Sequence, residues 1–201
     1  MKNIFLDYVY QVIYGMLNLF RILIFIVFIL TNIGQGFATT MSFADYAKES
    51  FGQVLFLRHA LAPGNGDPSN FDISECTTQR NLDEVGRRQA RKIGTQIAQL
   101  GVSFKSVFSS QWCRCLETAR LLEQGTVKEL PGLNSFYQGI VPRDETLHSL
   151  RQFLAGLDRN DKPVLMVTHF VTISAITGIF VSSGGAVAYN VETGKAIEII
   201  F

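Results

Sequence analysis

The sequence predicts an α/β domain: three layers, α/β/α, around a mostly parallel sheet, with an antiparallel hairpin at the C-terminal edge. Three observations predict it. Two apolar runs, Val54-Leu55-Phe56-Leu57 and Val164-Leu165-Met166-Val167, read as strands buried on both faces. Between them, further strand patterns alternate with helical periodicity, which calls for helices on both faces of a parallel sheet. The tail, Ala186 to Val191 and Ala196 to Phe201, reads as two strands around a turn at Glu192-Thr193-Gly194-Lys195.

The first strand, Gln53 to Leu57, is followed by a loop from Ala60 to Asn81 rich in Gly, Pro, Asn, Asp and Ser, the profile of a binding loop. A helix is expected from Asn81, with Asn81 as cap and Glu84 completing a capping box. Its apolar face is Leu82, Val85, Ala90, Ile93, Ile97 and Leu100, and Gly101 suits its end. Ser106 to Ser110 reads as a strand, Gln111 to Glu123 as a helix and Val127 to Leu130 as a short strand. Asp144 is expected to cap a helix with Leu147, Leu150, Leu154 and Leu157 on one face. Pro163 introduces the Val164 strand, and Phe170 to Ile179 reads as a helix.

A length of 201 residues suits one domain, residues 39–201, behind a leader, residues 1–38. Residues 4–33 are strongly apolar, and Ile22 to Leu30 runs without a charge. That run is short for a transmembrane helix, which needs about 20 apolar residues. It suits a signal-peptide core, followed by small residues in Gly36-Phe37-Ala38. Read from Met16, the leader has ordinary length, with Arg21 as its positive flank. Two readings stay open: cleavage after Ala38 releases a periplasmic or otherwise extracytoplasmic domain, or an uncleaved anchor from Met16 to Ile33 holds it at the membrane. Charge is balanced and unclustered, net +1, so nucleic acid is not expected as a partner. Nothing in the sequence sets an oligomeric state. An exported setting permits a disulfide of Cys76 with Cys113 or Cys115, while three unpaired thiols fit equally well. No spacing of His, Cys or Asp suits a metal, and neither metal nor cofactor is expected.

Both buried strands end in a histidine, His59 in Leu57-Arg58-His59-Ala60 and His169 in Val167-Thr168-His169. Sites of parallel sheets form beyond the carboxyl ends of the strands. Neighbouring strands would therefore bring both histidines to one pocket, and Arg58 suggests that the pocket holds an anion.

Four stretches, Leu57-Arg58-His59-Ala60, Leu82-x-x-x-Gly86-x-x-Gln89-Ala90, Ser109-Ser110-x-x-x-Arg114-x-x-x-Thr118-Ala119 and Thr168-His169, fall in an order that resembles the histidine phosphatase superfamily, which includes phosphoglycerate mutases and many acid phosphatases. The resemblance covers roughly Gln53 to Ile179, and the loop from Gly64 to Asn81 resembles a bacterial exported subgroup. It implies a phosphoglycerate mutase-like fold and a small phosphorylated substrate. It implies His59 as a nucleophile that forms a phosphohistidine, with Arg58, Arg114 and His169 clamping the phosphate, His169 adding a third donor if protonated. The chemistry fits: an imidazole nitrogen attacks phosphorus while planar guanidinium forks hold the equatorial oxygens.

Departures from the pattern are Ala60 and Phe170 at positions where glycine is common, and Ser135 where many members carry an acidic residue. A hydroxyl is a poor general acid. Asp67 is the first candidate to replace it, with Asp144 and Glu145 as others, and Glu145 also as a substrate contact. Asn65 stands where mutase-like members place a substrate-binding asparagine. Arg80 is either an anion contact or a loop charge, and His148 matches no motif. The expected activity is phosphomonoester hydrolysis. The alternatives are mutase-like phosphotransfer and a degenerate, non-catalytic binder of phosphorylated ligands.

Overall fold

The computed structural model describes residues 13–21, 40–49, 51–158 and 160–201. The chain divides into two compact units, Met1–Phe37 and Ala38–Phe201. In the first, residues 13–21 are helical. The apolar run Ile22 to Leu30 and the Gly36-Phe37-Ala38 stretch lie outside the described residues. Among the described residues, no helix is long and apolar enough to cross a membrane.

The second unit carries a seven-stranded sheet. The strands are β1 (Thr40–Ser42), β2 (Val54–Arg58), β3 (Ser106–Ser109), β4 (Val127–Glu129), β5 (Val164–Thr168), β6 (Ala186–Tyr189) and β7 (Ala196–Ile200). Their order is β1-β7-β6-β2-β5-β3-β4. The pairs β2–β5, β5–β3, β3–β4 and β1–β7 are parallel, while β2–β6 and β6–β7 are antiparallel. The helices are α1 (Phe43–Glu49), α2 (Glu84–Gln99), α3 (Cys113–Leu121), α4 (Arg143–Ala155) and α5 (Phe170–Thr177).

Alternation along β2 builds the two cores. Leu55 and Leu57 face a cluster with Ile93 and Ile97 of α2, Cys115 and Ala119 of α3, and Phe43 and Tyr46 of α1. Val54 and Phe56 face the opposite cluster, with Leu150 and Leu154 of α4 and Ile173 of α5. Strands buried on both faces are what their unbroken apolar runs required.

The expected hairpin is present, and β1 adds outside it, parallel to β7. The sequence reading left out β1 and α1. Three residues of strand and seven of helix are too short for periodicity to register. A local signal was there: the Ser42 Oγ accepts from the Asp45 N–H at 3.1 Å and donates to its carboxylate at 2.6 Å.

Two helix starts differ from expectation. α2 is capped by Asp83, whose carboxylate accepts from Gly86 N at 2.8 Å. Asn81 instead donates to the carbonyls of Cys76 and Gln79, which holds the preceding turn. α4 begins at Arg143 with Pro142 as its cap residue, so Asp144 lies inside the first turn, exposed and paired with Arg143. The helix N-terminus accepts a carboxylate at either position, and Pro142 takes the extended backbone that precedes a helix.

Gly86 shows why the Leu82-x-x-x-Gly86-x-x-Gln89 stretch is built as it is. A Cβ there would lie 2.0 Å from the Leu61 carbonyl oxygen, so only glycine lets α2 pass this close to the segment after His59. Gln89 then accepts from Leu61 N at 2.8 Å and donates to the Ser183 carbonyl at 2.7 Å.

Candidate active site

Register brings the two histidines together. Arg58 of β2 is the partner of Thr168 on β5, and His59 N donates to the Thr168 carbonyl at 2.9 Å. The rings of His59 and His169 meet edge to face at 5.4 Å between centroids. Arg114, in the first turn of α3 beyond β3, completes the group. All three lie beyond the carboxyl ends of adjacent parallel strands, and His59, His169 and Arg114 are 2, 2 and 3% exposed.

The tautomer of His59 follows from its neighbours. Arg114 Nε, which can only donate, lies 3.3 Å from His59 Nε2. Nε2 is therefore the bare nitrogen, and Nδ1–H donates to the Ala60 carbonyl at 2.8 Å. Burial, followed by the positive charge of Arg114, pushes the His59 pKa down to about 3. The ring is thus neutral at physiological pH, with its free lone pair toward a guanidinium.

His169 is held by a second network. The Asn134 Oδ1 accepts from Gln111 N at 2.9 Å and from the Ser110 hydroxyl at 3.1 Å. With its one hydrogen so engaged, Ser110 Oγ accepts from His169 Nε2–H at 2.9 Å. Burial, then the charge of Arg114, lowers the His169 pKa well below its ordinary value. The sequence reading made His169 a donor if protonated; this surrounding makes it a donor in its neutral form. Cys115, a buried free thiol, lies 3.4 Å from the same nitrogen.

Arg58 donates through Nη1 to the Val181 carbonyl at 2.9 Å and stacks on the Phe170 ring, 5.1 Å from its centroid. Its Nε is buried without a partner. Phe170, at a position where glycine is common in the family pattern, therefore covers the arginine that precedes His59.

Asp67 is brought into the site, with a part other than a proton donor's. Arg114 Nη1 and Nη2 donate to its two oxygens at 2.7 and 3.1 Å, Trp112 Nε1 at 3.0 Å and Arg80 N at 3.1 Å. Burial alone would raise this carboxyl, but the Arg114 hydrogen bonds and charge, with the Arg80 and Trp112 donors, hold it below the usual carboxylate range. Arg80 lies along the loop: Nε donates to the Gly66 carbonyl at 2.9 Å and Nη1 to that of Ala62. It ties the loop and adds positive charge near His59. Asn65 is exposed on the same loop, and Glu145 and His148 are exposed on α4; none is hydrogen-bonded to the histidines or arginines of the site.

Trp112, Asn134 and Gln138 escaped the sequence reading. Trp112 is fully buried, stacks on Phe71 and meets His169 edge on. Gln138 clasps the backbone of Asp67, accepting from its N–H at 2.7 Å and donating to its carbonyl at 3.3 Å. Asn134 immediately precedes Ser135, and its amide is the signal the sequence offered there. Cys76 and Cys113 form a disulfide, which settles the cysteine alternatives and joins the loop to the start of α3. A cavity of about 700 Å³ lies on the other side of α3, lined by Cys76, Cys113, Arg87, Leu116, Glu117 and Arg120. It excludes His59, so its size does not mark the chemistry. Among the described residues, no group of three His, Cys, Asp or Glu could hold a metal ion.

Neutral buried histidines make stability depend on pH. Between about pH 6.5 and pH 3 the unfolded chain binds a proton that His59 in the folded chain does not. Stability is therefore complete above this window and falls as pH drops through it, with a slope approaching about 1.4 kcal/mol per pH unit for each such histidine. Asp67, with its folded value depressed, adds a further loss below pH 3.8. Urea midpoints should hold from pH 7.5 to about 6.5 and then fall steadily to pH 4, and His59→Gln should flatten the slope. Midpoints independent of pH would contradict the assignment of neutral rings.

No curated protein matches the sequence. Among solved structures, the chain is similar to a phosphoglycerate mutase from Thermus thermophilus (18% identity, TM-score 0.51, covering 74% of this chain and 98% of that one). It is similar to TTHB049 from the same organism (17%, 0.51, covering 74% and 99%). A protein histidine phosphatase, SixA, complexed with tungstate, aligns at 17% identity and TM-score 0.48 over 72% of this chain and 92% of that one. At these identities the likeness is one of fold, and the fold is phosphoglycerate mutase-like. Residues 54–151 match the histidine phosphatase superfamily (branch 1), a span that starts on the strand leading to His59 and includes Arg114. Over residues 54–151 the chain is therefore similar to the histidine phosphatase superfamily.

Proposed function

We propose that this chain is a phosphomonoester hydrolase that works through a phosphohistidine at His59 on a small phosphorylated substrate. One observation carries the reading: the unprotonated Nε2 of His59 faces Arg114 Nε at 3.3 Å, and the Nε of Arg58, the preceding residue, is buried without a partner. A buried, unpaired guanidinium N–H is costly, and an anion satisfies it. In the first step Nε2 bonds to phosphorus as the ester oxygen leaves with its electron pair. Arg58, Arg114 and His169 hold the equatorial oxygens. Water then attacks phosphorus, the N–P bond breaks and His59 is regenerated.

Asn65 and Glu145, both exposed, are assigned to the remainder of the substrate, and Arg80 to loop and field. Since Asp67 is ionised, we assign no carboxyl proton to the leaving oxygen, and good leaving groups are favoured. The same absence favours the degenerate-binder reading, and turnover separates the two. The Cys76–Cys113 disulfide supports an oxidising, extracytoplasmic location. Brief incubation with a radiolabelled phosphoester, followed by an alkaline quench, should leave an acid-labile label on the protein that is missing from His59→Ala. Label retained in the variant would reject the mechanism.

A further inference from the structure

Asp67 is as heavily hydrogen-bonded as Arg114, and hydrolysis by His59 does not use it. Its two oxygens accept from four donors: Arg114 Nη1 and Nη2, Trp112 Nε1 and Arg80 N. Its side chain is 3% exposed and that of Arg114 4%. Its backbone is clasped by Gln138, and Arg80 fixes the preceding carbonyl, Gly66. The carboxylate is thus set on three elements before any ligand arrives.

A guanidinium has two edges that recognise anions, one through Nη1 and Nη2, the other through Nε and Nη2. Asp67 takes the first. Only the second faces His59, with Nε 3.3 Å from the attacking nitrogen. We propose that Asp67 is the positioning residue of the phosphate clamp, gripping the outer edge of Arg114 so that its Nε edge is turned, in advance, toward the phosphoryl group. The proposal rests on the reading of His59 as nucleophile. Without Asp67 the Arg114 charge is buried and unpaired, a state that proteins leave by moving the side chain. An arginine displaced by an ångström no longer matches the equatorial oxygens, at a cost of about 10²-fold. A proton donor in the same place would have a different signature, since it acts on the leaving oxygen alone.

The test is a double-mutant cycle on the disulfide-intact domain, with p-nitrophenyl phosphate and an alkyl phosphate such as glycerol 2-phosphate. Asp67→Asn should lose about 10²-fold in kcat/KM on both substrates alike. In an Arg114→Ala background the same change should add no more than about twofold. Trp112→Phe, which removes one donor and keeps the ring, should give a smaller loss of the same pattern and serves if Asp67→Asn does not fold. A loss confined to the alkyl phosphate would make Asp67 an acid and overturn the proposal. So would full additivity with Arg114→Ala. If the wild type turns over neither substrate, the hydrolase reading fails, and the cycle is read on inorganic phosphate affinity instead. Weaker binding in Asp67→Asn that vanishes in the Arg114→Ala background then sustains the proposal. Tighter binding, or equal weakening in both backgrounds, rejects it.

Discussion

Replacing His59 with alanine should lower the turnover of p-nitrophenyl phosphate by on the order of 10⁴–10⁶-fold, as expected when a covalent nucleophile is removed from a site whose remaining parts stay in place. The residue left behind still has Arg58, Arg114 and His169, so phosphate affinity should persist while kcat collapses. Steady-state kinetics with a product-inhibition series checks both halves. The fold should survive, because the His59 ring contributes only two hydrogen bonds, to the Ala60 carbonyl and from Arg114 Nε, and the sheet and both cores do not depend on it. A loss smaller than about tenfold would move the nucleophile elsewhere, with His169, 5.4 Å away ring to ring, the first to examine.

Breaking the Cys76–Cys113 disulfide should have the largest effect on stability. It closes a loop with a sequence separation of 37 that includes α2 and β3, and it ties the end of the binding loop to the start of α3. The unfolded chain would regain loop entropy worth about 4 kcal/mol. For a domain of this size that corresponds to a fall in Tm of roughly 8–16 °C. Cys76→Ser with Cys113→Ser, or reduction of the native protein, should show it by calorimetry, and Arg114 follows Cys113 directly, so activity should fall before the domain melts. An unchanged Tm after reduction would show that the loop holds without the bridge.

The central strands and their histidines were legible because β2 and β5 are buried on both faces, which forces unbroken apolar runs, and because each run leads directly into its histidine. The β6–β7 hairpin was legible from its turn. What stayed hidden has a physical cause in each case. β1 and α1 are shorter than a period-based reading resolves. The choice of Asp83 over Asn81 as cap depends on which of two nearby polar side chains the turn at Cys76 recruits. The ionised state of Asp67 depends on Arg114 and Trp112, which are remote in sequence and meet it only in the fold. Its proximity to the site could be read from the loop; its four donors could not.

The sequence contains a single tryptophan, Trp112. Its indole N–H is bound to Asp67, one face lies on Phe71, and its edge meets His169. The chain therefore carries its own optical probe at the heart of the pocket. Its emission band registers any shift of the Asp67 carboxylate, and imidazolium at His169 would quench it. Anion binding, reduction of the neighbouring disulfide and acid titration of the histidines can each be followed on the unlabelled protein, in one cuvette, by the colour and intensity of one ring.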